Sequence, residues 1–588
     1  MANKKKLSYA ERANRYAEQV RDGKIAVGRM VKAACVRHLN DRERSRSPKF
    51  PYEFNPDKVH LICEFAENMV HIKGKWATSG DGGLPFVKLE DWQCFLFGVP
   101  FGWVRKSDGL RRFREIYAEI PRKNGKSMVG AIIGLYLSFD DGENGAEGFA
   151  GATSMEQAYA VFRPAWLMVK NNPEFREHFG LQLGGTEANP GNIYQPSTGS
   201  YFKPIIGKPG DGDSPHCAVI DEYHEHATPV MYDAMKTGMG SRTQPMRVVI
   251  TTAGVDTSGP CYDKHNEAVK VLEGSLDNPE LFTLIYGIDS PKDENDMQAD
   301  DWANFESWKK ASPNFGVSVM EDYLRGQLRD ALQKPSEQNI NRTKHLNEWM
   351  NAGIAWMNMA KWGACRDESL RLDVFAKQEC WLAFDLANKI DIASLAFIFR
   401  PQPDMYAFFC KHYLCEETIE LRQNSHYRKW RDMGWLIQTD GARTDFRQIE
   451  SEIKAAASLF AVQSLAFDPR EASYLVSSIQ DWASFECVEI TQGPQMMSEP
   501  MKEMEAAIYS KQLRHCGDPI LTWMMGNVIK KEGRTGGDVK YYYPTKQNNA
   551  NKIDGVVAGI MALGRAMKAD PGFIEYSGIQ TVGSLTKK

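Results

Sequence analysis

No run of eighteen apolar residues occurs in the chain, so a helical membrane span is not expected. The opening stretch, MANKKKLSYAERANRYAEQV, lacks the apolar segment of a secretory signal and is not expected to act as one. Cysteine is sparse and unpatterned, eleven among 588 residues, with no CxxC pair. That excludes a disulfide frame and points to reduced thiols in a cytoplasmic setting. A large excess of either charge is missing too. The formal net charge of −4 argues against a wholly basic nucleic-acid coat, while leaving room for a local basic face. There is no internal repeat and no low-complexity tract.

What is present is enough for several cores. The length suggests two to four domains, and 42% of the residues are hydrophobic. Residues 1–50 hold fourteen Lys and Arg against five acids, a local surplus of nine. Ala, Val, Met and Leu recur there three and four apart, which predicts helices. A basic helical arm over 1–55 is either a solvated face or a contact for phosphates or a protein partner. From 56 to 350 strand-like and helical runs alternate. REIYAEI, EGFAGAT, HCAVIDE and MRVVITTAG read as strands; KSMVGAIIGLYLSF and SMEQAYAVFRPAWLMVK read as helices, the second capped by Ser154. Buried apolar strands separated by helices predict an α/β domain with a largely parallel sheet. Residues 351–375, rich in Trp and Met, read as a helical linker. A second α/β pattern covers 376–570, opening on a meander of CWLAFDLA, IASLAFIFR and DMYAFFCKHYL. KKEGRTGGDVKYYYPTKQNN reads as a mobile polar loop, and 571–588 as a flexible tail.

One motif is notable for the glycine it lacks. EIPRKNGKSM ends like a phosphate-binding loop, with Gly125, Lys126 and Ser127, but Ile120 stands where the first glycine belongs. Its context supplies what such a loop needs, a strand before it and a helix after it, so that backbone N–H groups and the helix dipole face an anion. The loop residues Arg122, Lys123, Asn124 and Gly125 would line the phosphates of ATP. Lys126 would reach the terminal ones, and the Ser127 hydroxyl would ligate Mg²⁺. About a hundred residues on, the apolar strand in HCAVIDEYHEH ends in Asp221 and Glu222. Asp221 is suited to hold Mg²⁺ and Glu222 to orient an attacking water. The strand VVITTAG, ending in small hydroxyl residues, is suited to sense the γ-phosphate. Gln93 in KLEDWQCFLFG has the donor and acceptor that the adenine edge requires.

The second α/β region carries three acids in similar settings. Asp385 ends WLAFD, Asp468 ends SLAFD, and Asp554 opens the helix of KIDGVVAGIMAL. Carboxylates at neighbouring strand ends and a helix start can converge on two divalent ions roughly 4 Å apart, one activating water and one stabilising a leaving 3′-oxygen. Asp391 is either an auxiliary ligand or a cap. His515 reads as structural.

The ordered set DWQ, PRKNGKS, GATSMEQA, VIDEYHEH and VITTAG, followed by the three acids, resembles the large terminase subunit of tailed bacteriophages, a DNA-packaging motor. The resemblance spans about 60 to 565. It implies a ribonuclease-H-like nuclease with a mixed sheet at 376–570, using two Mg²⁺ or Mn²⁺. It also implies that Arg122, early in the loop, reaches the γ-phosphate in cis. The function implied is ATP-driven translocation of double-stranded DNA into a procapsid, with cleavage of concatemers. The partners implied are DNA, the portal protein, a small terminase subunit and copies of the same chain in a ring, read as a pentamer. The location implied is the host cytoplasm and, transiently, the procapsid. In such a ring Arg242, in GMGSRTQPMR, is the candidate arginine for a neighbour's site. The alternatives are an ATP-dependent DNA helicase or translocase with a non-catalytic second domain, and a non-enzymatic scaffold.

Overall fold

The structure is a computed structural model. It describes residues 7–78, 83–207, 210, 212–257, 259–290, 299–350, 356–386, 391–421, 425–470, 472–533, 541–546 and 551–568. The expected tail, 571–588, lies outside them. The chain divides into two compact units. Unit 1 is Met1–Lys334 with Ile340–Met350, and unit 2 is Pro335–Asn339 with Asn351–Lys588.

Unit 1 begins with two helices, α1 (Tyr9–Arg21) and α2 (Arg29–Arg44). Ser8 caps α1 in a reciprocal capping box with Glu11. Both helices bury an Ala- and Val-rich face in the main core of the unit. Much of their positive charge is spent within the molecule. Arg12 and Arg15 pair with Asp91, Arg29 with Asp289, and Arg37 donates to the carbonyls of Leu281 and Asn278. Helix α3 (Asp91–Gly102) follows, buried on nearly every face.

The central sheet is built from β1 (Glu115–Glu119), β2 (Glu147–Ala152), β3 (Gln182–Gly185), β4 (Pro190–Gln195), β5 (Ser200–Ile206), β6 (Pro215–Asp221), β7 (Met246–Thr251) and β8 (Leu281–Ile285). Their order is β8-β1-β7-β6-β2-β5-β4-β3. Every pairing from β8 to β5 is parallel; β4 and β3 add an antiparallel edge. Strands β1 and β6 are buried at every position, the signature of a sheet covered on both faces. Helix α4 (Lys126–Phe139) leaves β1 through the loop at 120–125. It lies so close to the sheet that a Cβ on Gly130 would stand 3.2 Å from both Ile250 and Val219.

Unit 2 is built on a mixed sheet: β9 (Glu379–Asp385), β10 (Ala393–Gln402), β11 (Met405–Cys415), β12 (Leu436–Thr439), β13 (Ala461–Phe467), β14 (Glu486–Glu489) and β15 (Leu513–His515). The order is β12-β11-β10-β9-β13-β14, with β15 also pairing β11. Strands β9, β10 and β11 form the antiparallel meander; β13 joins β9 in parallel. Helix α5 (Asp554–Lys568) crosses one face, and Gly555 and Gly559 let it approach the His412 and Phe408 side chains of β11.

Two stretches differ from expectation. Of the expected helical linker 351–375, the described residues 356–375 are not mostly helical. The described part holds one five-residue helix, Met359–Gly363, and a 3-10 turn, Leu372–Phe375. Trp356, Met357, Trp362 and Cys365 are buried in the core of unit 2, so the segment belongs to that fold. Within the expected polar loop 530–549, the described residues 530–533 and 541–546 belong to a two-stranded ladder, β16 (Val528–Gly533) with β17 (Tyr541–Lys546), and the rest lies outside the described residues. Aromatic and long basic side chains brace it, with Lys530 over the ring of Tyr542.

Candidate active sites in the two units

In unit 1 the loop between β1 and α4 is shaped by two left-handed residues, Lys123 (φ 69°) and Gly125 (φ 83°). The first glycine of the usual pattern is replaced by Ile120, whose N–H donates to the Thr251 carbonyl at the end of β7. Its Cβ is no obstacle where the backbone continues the sheet. Asn124 is fully buried. Its Oδ1 accepts from the Asn314 amide, and its Nδ2 donates to the Pro121 and Arg122 carbonyls. Asn314 is fixed in turn by Trp92 Nε1. Asn124 is therefore a brace of the loop, and its side chain faces inward rather than toward phosphates.

Lys126 Nζ is buried and donates to the Ile120 carbonyl at 2.9 Å. Burial holds its pKa below the ordinary lysine value, against the opposing pull of Glu222 and Asp221. Asp221, ending β6, is 3% exposed and its carboxyl is pushed up to about 7, chiefly by burial and then by the charge of Glu222. These three groups thus feel one another directly. Ser127 and the exposed Arg122 flank them on the loop and the first turn of α4. Glu222 adopts φ 46°, ψ 47°, an unusual region for a residue with a side chain. Strained residues of this kind cluster at functional sites.

Beside the loop opens a cavity of about 860 Å³, lined by Gln93, Lys123 and Gly125 and, on its other wall, by His71, Trp76 and Phe86. Gln93 lines it, but its Oε1 already accepts from the Glu90 amide in a helix capping box. The aromatic wall was not singled out from sequence; KGKWATSG carries no pattern that marks it. Arg242 departs from its expected role. It is 12% exposed, its Nε donates to the Ser214 carbonyl, and its guanidinium pairs with Glu143 and Glu147. A guanidinium committed to two carboxylates of its own unit is not presented to a neighbour.

In unit 2, Phe384 and Phe467 face each other in the parallel pairing of β9 and β13. Asp385 and Asp468 follow at the same ends of adjacent strands, which lie roughly 4.8 Å apart. Asp554 opens α5. Asp385 is pushed well above the ordinary carboxyl range by burial first, then by the charge of Asp554 and of Asp468. Asp554 is pushed up to about 6, by burial and then by Asp391. Its Oδ2 is buried with no hydrogen-bond partner. Gln492 Nε2 donates to Asp385 Oδ1 at 2.9 Å, and the Arg470 amide donates to Asp468 Oδ1. As these side chains stand, no three His, Cys, Asp or Glu among the described residues are arranged to hold a metal ion. Asp391 is paired with Lys546 and Lys552, which favours a clamp over a ligand. His515 stacks on Trp362 and bonds its carbonyl, a structural place.

Behind these acids lies a cluster that the sequence did not reveal. His412 is fully buried on β11, with Ser394 Oγ at 2.9 Å from Nδ1 and Asp518 Oδ2 at 3.0 Å from Nε2. Burial alone would lower this histidine. Cys410 and the Asp518 carboxylate outweigh that and push it up to about 10.

Comparison with known proteins accords with two chemistries in two units. Residues 91–270 match the family model "Terminase large subunit, ATPase domain", and residues 282–570 match "Terminase large subunit, endonuclease domain". The chain belongs to the phage terminase large subunit family. Protein YmfN of Escherichia coli (strain K12) is 43% identical over 369 residues, 61% of this chain and 79% of that protein. The large terminase subunit of Enterobacteria phage HK97 is 26% identical over 456 residues, 76% of this chain and 85% of its own. The crystal structure of the HK97 large terminase covers 87% of this chain and all of its own at 22% identity, with a TM-score of 0.44, a likeness too loose to carry residue correspondences. The terminase is a DNA-packaging motor with ATPase and endonuclease activity, using ATP and divalent metal. A helicase with a non-catalytic second domain is not favoured, because the second half matches an endonuclease model. DNA and the packaging machinery are its partners in general terms. Among the described residues no helix is long and apolar enough to cross a membrane.

Proposed function

We propose that this terminase moves duplex DNA into a procapsid by hydrolysing ATP at the Lys126–Asp221–Glu222 site and cuts it at the Asp385–Asp468–Asp554 site. The observation that carries the motor half is the mutual electrostatic influence of Lys126, Asp221 and Glu222, gathered at the ends of β1 and β6 on either side of β7. Lys123, Gly125 and the first turn of α4 offer backbone N–H groups to phosphates, and Lys126 neutralises the terminal ones. Arg122 reaches the γ-phosphate in cis, and Glu222 holds the attacking water. The adenine lies in the cavity against Trp76 and His71, with Gln93 at its edge. Ser127 and Asp221 are the groups that fit Mg²⁺.

In the second unit the orphaned Oδ2 of Asp554 and the raised Asp385 fit divalent cations, because a positive charge relieves both. Asp385, Asp468 and Asp554 would hold two Mg²⁺ or Mn²⁺, which when bound supply an activated water and stabilise the leaving oxygen. The chain works as a pentameric ring on the portal, with a small terminase subunit choosing the site, in the host cytoplasm and transiently on the procapsid. Phosphate contacts that ignore sequence suit such a task.

One preparation tests both halves, assayed for ATP turnover and for plasmid nicking with Mg²⁺ or Mn²⁺. Lys126→Ala should abolish turnover and leave nicking largely intact; Asp385→Ala should do the reverse. A folded Lys126→Ala protein that hydrolyses ATP normally, or a folded Asp385→Ala protein that nicks normally, overturns the corresponding assignment.

A further inference from the structure

We propose that His224 is a positioning residue of the ATPase site, its ring tying the Glu222 carboxylate to Thr251 at the end of β7. The proposal rests on the reading of Glu222 as the water-holding group. Three observations lead to it.

The first is how Glu222 is held. Its left-handed backbone is pinned by its own N–H, which donates to the Ile250 carbonyl at 3.0 Å and to Asp221 Oδ1 at 2.9 Å. Its side chain has no such anchor. Oε2 is buried and makes no hydrogen bond of good geometry. His224 Nδ1 stands 3.2 Å from it.

The second is the bonding of the ring. His224 Nδ1 lies 3.0 Å from Thr251 Oγ1, and Nε2 lies 3.2 Å from Glu225 Oε1. The Thr251 hydroxyl has one proton, which it donates to the Thr252 carbonyl at 2.8 Å. It also accepts from the His224 backbone N–H. A hydroxyl whose proton is committed can meet Nδ1 only as an acceptor, so Nδ1 carries a hydrogen. That one N–H therefore faces two near acceptors, Thr251 Oγ1 and Glu222 Oε2, with Thr252 Oγ1 farther off at 3.5 Å. The choice between them sets where the Glu222 carboxylate rests.

The third is what else Thr251 holds. Its carbonyl accepts from Ile120 at the root of the phosphate loop. The residue thus touches the loop through its backbone and Glu222 through the His224 ring. A shift of the β7 end alters both attachments at once. The imidazole adds a side-chain path to Glu222 beside the backbone bond that Glu222 N–H donates to Ile250.

The test uses the full chain. ATP turnover and the affinity for a fluorescent ATP analogue are measured for His224→Ala, His224→Asn, Thr251→Val, the Ala/Val double variant and Glu222→Gln. A carboxylate misplaced by about 1 Å costs on the order of a hundredfold in rate. His224→Ala and Thr251→Val should each lower kcat by about ten- to a hundredfold, with analogue affinity kept within about twofold. The double variant should be no worse than the poorer single one, since both break one link. Asparagine, whose amide N–H can replace Nδ1–H, should recover most of the rate. Full turnover in His224→Ala, multiplying losses in the double variant, or asparagine no better than alanine overturns the proposal. Should the alanine protein fail to bind the analogue, a His224→Asn rate as low as that of Thr251→Val overturns it, and a clearly higher rate supports it. Normal turnover in Glu222→Gln removes the Glu222 reading itself, and the proposal with it. Turnover lost in Glu222→Gln but unchanged in the His224 and Thr251 variants refutes only the positioning role.

Discussion

Replacing Asp554 by asparagine should make the metal-free nuclease unit more stable while destroying its activity. The side chain is 9% exposed, and its carboxyl is pushed from 3.8 to about 6. The sign follows from linkage. A carboxyl whose folded pKa lies above its unfolded one favours the protonated fold, so ionising it is a penalty. The penalty is absent below about pH 4, grows as pH rises through about 6, and is complete above it. A shift of roughly two pKa units corresponds to about 3 kcal/mol. An uncharged amide of the same shape avoids that cost, although part of the gain is lost if the amide finds no partner where Oδ2 has none. The expected gain is therefore about 1–3 kcal/mol at pH 7.5 in EDTA. Hydrogen exchange of the α5 amides in the full chain measures it locally, without assuming that both units unfold together. Protection should exceed wild type at pH 7.5 and match it near pH 4. Adding Mn²⁺ should raise protection in the wild type by mass action, about 2.7 kcal/mol at a hundredfold excess over the dissociation constant, and much less in the variant. Equal or lower protection of Asp554→Asn at pH 7.5 would refute the idea that this carboxylate is held under electrostatic stress.

Two further outcomes are expected. A Cβ on Gly559 would press against the rigid ring of Phe408, whereas Gly326 in the helix Glu321–Gln333 has nothing within 4 Å. Gly326→Ala should therefore stabilise unit 1 by about 1 kcal/mol, while Gly559→Ala should destabilise unit 2 by about 1–2 kcal/mol despite the better helix former; equal signs in denaturant melts would contradict this. The buried His412–Asp518 pair should stabilise unit 2 fully below the ordinary histidine value of 6.5 and lose that contribution as pH rises through about 10. His412→Gln should accordingly cost a few kcal/mol at pH 6 and much less at pH 10.5, and a cost independent of pH would refute the charged pair.

Much of the fold could be read from local pattern. The strand, loop and helix of 115–139 announce themselves because β1 is a buried apolar run and Gly125–Lys126–Ser127 meets the helix start. Asp385 beside Asp468 was legible because each ends an AFD run, and the chain placed those runs side by side in parallel. What failed was tertiary. Arg242 looks like a free loop arginine until Glu143 and Glu147, about a hundred residues earlier, fold against it. The β16–β17 ladder escaped notice because Lys, Glu, Tyr, Thr and Gly give it no continuous apolar face; rings and long stems brace it, and Val528 with Tyr543 anchors it to the core of unit 2. The 351–375 segment has helix-forming residues, but its tryptophans are claimed by the core of unit 2. His412 and Asp518, like Gln492 and Asp385, are over a hundred residues apart, and no spacing rule links them.

The end of the ATPase unit has a mechanical consequence. Gly254, two residues beyond Thr252, has no room for a side chain: a Cβ there would stand 2.9 Å from His224 Cβ and 3.2 Å from the ring of Trp349. Its carbonyl accepts from the Met350 N–H, the last residue of unit 1. A pull on the chain at residue 350 is therefore borne by the loop that ends β7, and through it by the neighbours of Glu222. Glu222 and the residue at which unit 1 ends share one bearing, so tension applied at residue 350 acts beside the Glu222 carboxylate.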